Sequence, residues 1–89
     1  MGSKLTWHEP KRQTTLADRG LDFADADKIF ASATFEFEEM RCDYGERRMI
    51  CFGYLHGRLV AVGYVQHGES RHIFSMRKTN EREQAKFQQ

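Results

Sequence analysis

The hydrophobic period of the chain changes at Thr34, and that change dictates a mixed helical and β architecture. Upstream, Phe23, Ala26, Ile29 and Phe30 recur at helical spacing and fall on one face. Downstream, Phe35 and Phe37 face one way while Glu36 and Glu38 face the other, the alternation of a half-buried strand. The sequence has 89 residues. A chain of that size hides only about 60% of the surface its unfolded form exposes, so residues 1–89 are read as a single domain around one core. A two-domain nucleotide enzyme, a barrel and a large cofactor fold are excluded on size.

Local signals divide the chain further. Lys4 to Trp7 reads as a short first strand, with Leu5 and Trp7 on one face. Glu9 and Pro10 open a mostly polar helix, where proline is tolerated because its missing N–H had no partner. That helix runs to Arg19 with Leu16 and Ala17 as its apolar contacts, and Gly20 ends it at positive φ. Asp22 is placed to cap the second helix. A turn at Asp43-Tyr44-Gly45-Glu46 leads into a strand from Arg48 to Leu55, in which Met49, Cys51 and Leu55 oppose Ile50, Phe52 and Tyr54. His56-Gly57 has the length of a hairpin connection. Leu59 to Val65, apolar on both faces, reads as a central strand. His67-Gly68-Glu69 turns the chain into a last strand, Arg71 to Met76, with His72, Phe74 and Met76 opposing Arg71, Ile73 and Ser75. Asn80 precedes Glu83 at the spacing of a capping box, and a final helix follows. The expected fold is α+β, ordered β-α-α-β-β-β-β-α, with an antiparallel sheet and helices packed on one side.

Composition narrows the compartment and the partners. Hydrophobic residues are 39% and charged residues 30%, which suits a globular chain. No apolar run approaches the roughly 18 residues of a membrane helix, and no secretory signal opens the chain, so a cytoplasmic protein without a membrane partner is expected. Met1-Gly2-Ser3 has the look of a cloning remnant. Cys42 and Cys51 are too few for a disulfide scaffold and are expected as reduced thiols. The net charge of +1 conceals a split. Residues 1–40 hold five basic and eight acidic side chains, a net of −3, whereas residues 41–89 hold nine and five, a net of +4. A basic second part suits a phosphate-bearing ligand, although charges on a solvated surface divide in this way too.

Four stretches carry a family resemblance over nearly the whole chain. Trp7-His8-Glu9-Pro10-Lys11 is similar to an opening Trp-Asp-x-x-Lys. Gly20-Leu21-Asp22-Phe23, with Ala26 and Phe30, is similar to Gly-Val-x-Phe-x-x-Ala-x-x-x-Phe. Gly57-Arg58-Leu59 and Tyr64 resemble Gly-Arg-Leu-Leu-x-Val-x-Tyr. Arg71 to Lys78 and Glu81-Arg82-Glu83 resemble Arg-Ile-Ile-Ser-Ala-Arg and its charged helix. Together they resemble BrnT-type toxins, which are grouped with RelE-like endoribonucleases of type II toxin–antitoxin systems. The chain departs from that pattern at His8, where the family has Asp. It departs again at Thr15, Asp18 and Arg19, where the family's Asn and Lys-His stand, so an imidazole is missing there.

The resemblance implies a RelE-like fold and a metal-independent endoribonuclease that cuts single-stranded RNA, including mRNA, and so inhibits translation. No cofactor is expected. The implied partner is a cognate antitoxin with a ribbon-helix-helix DNA-binding part, joined in a hetero-oligomer that reaches operator DNA only through the antitoxin. Cutting RNA requires a base for the 2′-OH, stabilisation of a dianionic phosphorane and an acid for the leaving oxygen. Arginine suits the second task because its planar fork donates bidentately to phosphate oxygens. Arg58 and Arg77 are the candidate catalytic residues, against the plain alternative of surface arginines in weak ion pairs.

Arg71 and Arg77 are expected to project together on the open side of the sheet, with Lys78 and Lys11 on neighbouring phosphates. Trp7 is a candidate for stacking a base and Tyr64 for positioning the scissile phosphate, and each is also a candidate for the core. His8, His56, His67 and His72 are the titratable candidates for the base, and none matches a family motif. They lack paired metal-ligand spacing, and Cys42 and Cys51 have no second pair, so no metal site is expected. The alternative to an enzyme is an inactive family member that binds antitoxin or RNA.

Overall fold

A computed structural model describes residues 4–32, 35–39 and 47–86. The expected turn at Asp43-Tyr44-Gly45-Glu46, Cys42 and Met1-Gly2-Ser3 lie outside the described residues. The elements are β1 (Lys4–Trp7), α1 (Glu9–Arg19), a 3-10 turn (Phe23–Asp25), α2 (Ala26–Ala31), β2 (Phe35–Glu38), β3 (Arg48–Leu55), β4 (Arg58–His67), β5 (Ser70–Lys78) and α3 (Glu81–Lys86). The order is the expected β-α-α-β-β-β-β-α, and the fold is α+β.

Short-range chemistry explains where the elements start and stop. Gly20 ends α1 at φ 69°, with its N–H on the Leu16 carbonyl. Asp22 accepts from the Ala24 N–H and starts the turn into α2. His56 and Gly57 both have positive φ, 52° and 79°, the condition for a two-residue turn whose twist matches its strands. At α3 the Asn80 side chain accepts from the Glu83 N–H at 2.8 Å, and the Glu83 carboxylate accepts from the Asn80 N–H at 3.0 Å. Both halves of the capping box are made.

The sheet has five strands in the order β1-β5-β4-β3-β2, with β4 central. It is mixed rather than antiparallel, because β1 pairs parallel with β5 (Leu5 opposite Arg71, Trp7 opposite Ile73). The three pairings β2–β3, β3–β4 and β4–β5 are antiparallel. No hairpin joins β1 to β5, so nothing local sets their relative direction.

The main core lies on the face covered by α2. Leu21, Phe23, Ala26 and Ile29 pack there against Cys51, Leu55, Val60, Val62, Tyr64, Ile73 and Met76. A smaller cluster of Phe52, Leu59 and Ala61, with Ile50 against it, occupies the opposite face. The helices are not all on one side as expected. α1 lies against the half of β5 that β1 leaves unpaired, where Arg19 donates to the Met76 carbonyl at 2.9 Å. α3 buries none of its residues and sends Glu83 to the opposite face.

Burial departs from the sequence reading at two places. In α1 the buried residue is Thr15, while Leu16 and Ala17 are exposed. In β2 the alternation is real but no residue is buried: Phe35 and Phe37 are 51% and 40% exposed. They stand on the open face, where Phe37 stacks on Phe52 with centroids 6.0 Å apart. Glu36 turns the other way and accepts from the Tyr64 hydroxyl.

Candidate functional site

The open face owes its shape to a bulge in β5. Tyr64 pairs with Ile73 and Gly63 with Ser75, which leaves Phe74 unpaired. Gly63 makes this possible. A Cβ there would meet Ser75 Oγ at 2.5 Å and Phe74 Cζ at 2.6 Å, so the absent side chain is the space into which Phe74 folds. The Phe74 ring carries two cations: the Arg48 guanidinium at 4.5 Å and Lys11 Nζ, reaching over from α1, at 5.7 Å from the centroid.

Beside this stack runs a groove of about 670 Å³, walled by Phe37, Ile50 and Phe52 and by Arg48, Ser75 and Arg77. Arg77 donates through both terminal nitrogens to Glu83, each at 2.7 Å. Ser75 also lines a smaller adjoining cavity of about 300 Å³ with Lys11, Thr14, Thr15 and Arg19. The groove holds the acids Glu38, Glu39 and Glu83 as well as its two arginines, so its charge is largely compensated.

The sequence-predicted residues divide into three groups. Arg77 and Lys11 meet around Ser75 on the open face. Arg58 and Lys78 line a separate cavity of about 430 Å³ at the far end of the hairpin, with Tyr54, Thr79 and Gln84. Arg71, Tyr64 and Trp7 belong to the other face. The bulge reverses the alternation of β5, so Arg71 and Arg77 point to opposite sides of the sheet, not to one side as expected.

Arg71 lies over Phe30 at 4.1 Å and over Tyr64 at 5.2 Å. Tyr64 is buried, and its hydroxyl is committed to Glu36. Trp7 packs against the main core and donates its Nε1–H to Glu9 at 2.9 Å. Of the histidines, His72 Nδ1 lies 2.9 Å from the Thr6 hydroxyl, His56 sits in the hairpin turn, and His8 precedes α1.

Sequence reasoning missed Arg48, Phe74 and Glu83. A faint signal existed for two of them. A lone glycine inside a β-prone run marks a bulge, and that points to Phe74; the capping-box spacing puts Glu83 in the first turn of the helix that follows β5.

Electrostatics follow from these contacts. The Arg77 hydrogen bonds hold the Glu83 carboxyl down to about 2 against the opposing effect of burial, with the Asn80 N–H adding to them. The Arg12 fork does the same for Asp22, aided by the Ala24 N–H. Burial pushes the Cys51 thiol up to about 11, with Glu36 adding to it, so Cys51 is no nucleophile. Burial and Glu36 also raise the Tyr64 phenol above its ordinary range, and Tyr64 holds its proton. Among the described residues no three His, Cys, Asp or Glu side chains cluster as a metal ion would need.

A pH dependence follows. Glu83 and Asp22 have folded-state values below their unfolded ones, so their stabilising contribution is complete above the ordinary carboxylate range. It is lost as pH falls through the lowered values, toward about 2 for Glu83. Melting temperatures should therefore fall on acidification below the ordinary carboxylate range, and less steeply in an Asp22→Asn, Glu83→Gln double variant. An equal slope in both proteins would show that neither pair contributes.

No curated protein matches the chain. A family model described as the ribonuclease toxin BrnT of type II toxin–antitoxin systems matches residues 7–83. That span runs from Trp7 through the bulged β5 to Glu83, and it takes in both cavities of the open face and all of the Arg58 cavity but Gln84. The chain belongs to the BrnT family of ribonuclease toxins.

Proposed function

We propose that this chain is a metal-independent endoribonuclease that cuts single-stranded RNA, including mRNA, and thereby inhibits translation in the cytoplasm. The observation that carries the reading is the open-face groove, where Arg77, Arg48 and Lys11 stand beside aromatic and apolar walls. Cations that follow a backbone, together with exposed aromatic faces for unpaired bases, are what sequence-tolerant single-strand binding uses. Arg77 is assigned to the phosphorane, because its fork matches two phosphate oxygens and keeps its charge. Lys11 holds a neighbouring phosphate across Ser75. Arg58 and Lys78 take phosphates further along the strand, in their own cavity. Trp7, Arg71 and Tyr64 enter this reading as the support of the sheet from its covered face.

The partner is an antitoxin with a ribbon-helix-helix DNA-binding part, joined in a hetero-oligomer that reaches operator DNA through the antitoxin. Induced expression of the chain alone should arrest growth and fragment RNA, and co-expression with the adjacent antitoxin gene should restore growth. Absence of RNA cleavage on expression alone would remove the enzyme. A second reading, an inactive member that still binds antitoxin, is favoured by the acids that compensate the groove. A purified complex with antitoxin, with no cleavage by the toxin released from it, would select that reading.

A further inference from the structure

Arg77 presents its fork to the open groove, yet the fork is filled. Glu83 Oε1 and Oε2 each accept from one terminal nitrogen at 2.7 Å, the in-plane arrangement that two oxygens of a phosphodiester would adopt. The carboxylate is there by placement. The Glu83 backbone N–H donates to the Asn80 side chain at 2.8 Å, and Glu83 Oε1 also accepts from the Asn80 N–H at 3.0 Å. The helix cap thus aims the carboxylate at the guanidinium.

Displacing it demands little. α3 has six residues, none of them buried, and the Arg77 and Glu83 side chains keep 44% and 21% of their surface in solvent. A bidentate pair that still keeps part of its surface in solvent is worth about 1 kcal/mol, so a phosphate backed by neighbouring cations can outcompete it. Lys11, across Ser75, is such a cation.

We propose that the Arg77 fork is a phosphodiester-binding subsite for single-stranded RNA that Glu83 occupies as an internal phosphate surrogate, so that RNA enters by displacing the carboxylate. The proposal rests on the RNA-cleaving reading and goes beyond it, because it makes Glu83 the residue that sets affinity at the site. It also accounts for a groove with compensated charge in a family of ribonuclease toxins. The acid is a gate on the subsite, not a sign that the subsite is lost.

The test uses the full chain and a labelled single-stranded 2′-O-methyl RNA, which binds but cannot be cut because it lacks the 2′-OH nucleophile. Glu83→Gln keeps the helix cap, since glutamine serves in a capping box, and removes the charge. It should tighten the Kd by about fivefold, the factor that about 1 kcal/mol gives. Glu83→Asp keeps the charge but withdraws the carboxylate by one methylene, and it should tighten binding as well.

Glu81→Gln removes a charge from the same helix without touching Arg77, and it should leave the Kd within about twofold, as a screened surface charge does. In an Arg77→Ala background the gain from Glu83→Gln should vanish. Glu83→Gln and Glu83→Asp binding like wild type while Arg77→Ala binds more weakly would overturn the gate and leave the RNA reading standing. A gain as large from Glu81→Gln, or one that survives Arg77→Ala, would reduce the effect to bulk charge and also overturn it. Failure of every variant and of the wild type to bind RNA would overturn both proposals together.

Discussion

Arg77→Ala is expected to lower cleavage of single-stranded RNA by about 10²–10³-fold, the usual cost of removing one preorganised donor from a developing anion. In the proposed reading, the fork of Arg77 donates two hydrogen bonds in one plane, and an alanine leaves the phosphorane to water. Arg77→Lys separates charge from geometry. It retains a cation but loses the fork, so it should recover only a small part of the rate. The fold should survive both changes, because Arg77 keeps 44% of its side-chain surface in solvent and its pair with Glu83 contributes little to stability. That pair stabilises by about 1 kcal/mol, a shift of about 4–8 °C in a domain this small. Single-turnover cleavage of a labelled RNA, with circular dichroism melts on the same preparations, checks the expectation. Cleavage by Arg77→Ala within a few fold of wild type would move the chemistry away from the groove.

The second large effect is on stability. Gly53 lies in β3 directly beneath α2, and a Cβ at that position would sit 2.2 Å from the Ile29 carbonyl oxygen, 2.9 Å from Ile29 Cγ2 and 3.1 Å from the Ile29 carbonyl carbon. The nearest atom is backbone, so no rotamer change relieves the clash. α2 must lift from the sheet, and with it go Phe23, Ala26 and Ile29, each 0% exposed. Overpacking of this kind costs about 3 kcal/mol or more, and Gly53→Ala should lose about 12 °C or more in Tm.

Gly57→Ala makes the contrast. Nothing lies within 4 Å of a Cβ there, and its φ of 79° is the only obstacle. It should cost about 1–2 kcal/mol, the steric penalty of a left-handed residue. Equal melting temperatures for Gly53→Ala and wild type would mean that α2 does not pack on β3 as described.

These contrasts separate what is local from what is not. Gly20, Asp22, the His56-Gly57 turn and the Asn80–Glu83 box were legible because each acts over one to four residues, with chemistry that the residue types carry themselves. The order of elements followed from the change of period at Thr34. Arg77, Arg58, Lys11 and Lys78 were legible as phosphate-binding candidates because an arginine fork and a lysine charge are properties of the side chain. The grouping of those residues was not legible.

Alternation assigns residues to two faces without saying which face is covered, and Phe35 and Phe37 stand on the open one although they are the apolar half of their strand. Helical spacing made Leu16 and Ala17 the apolar contacts of α1, yet the residue the helix buries is Thr15. Extended chain reads the same in either direction, so the parallel pairing of β1 with β5 could be set only by the assembled sheet.

The change of hydrophobic period therefore determined the α+β class and the sequence of elements, because each depends on near neighbours, and residue type marked the candidates for meeting a phosphate. The tertiary structure alone decided which of them meet. A single unpaired residue, Phe74, seated over the missing side chain of Gly63, reverses the faces of β5. It sends Arg71 to the core side and Arg77 to the groove, where Glu83, six residues further along the chain, is waiting for it.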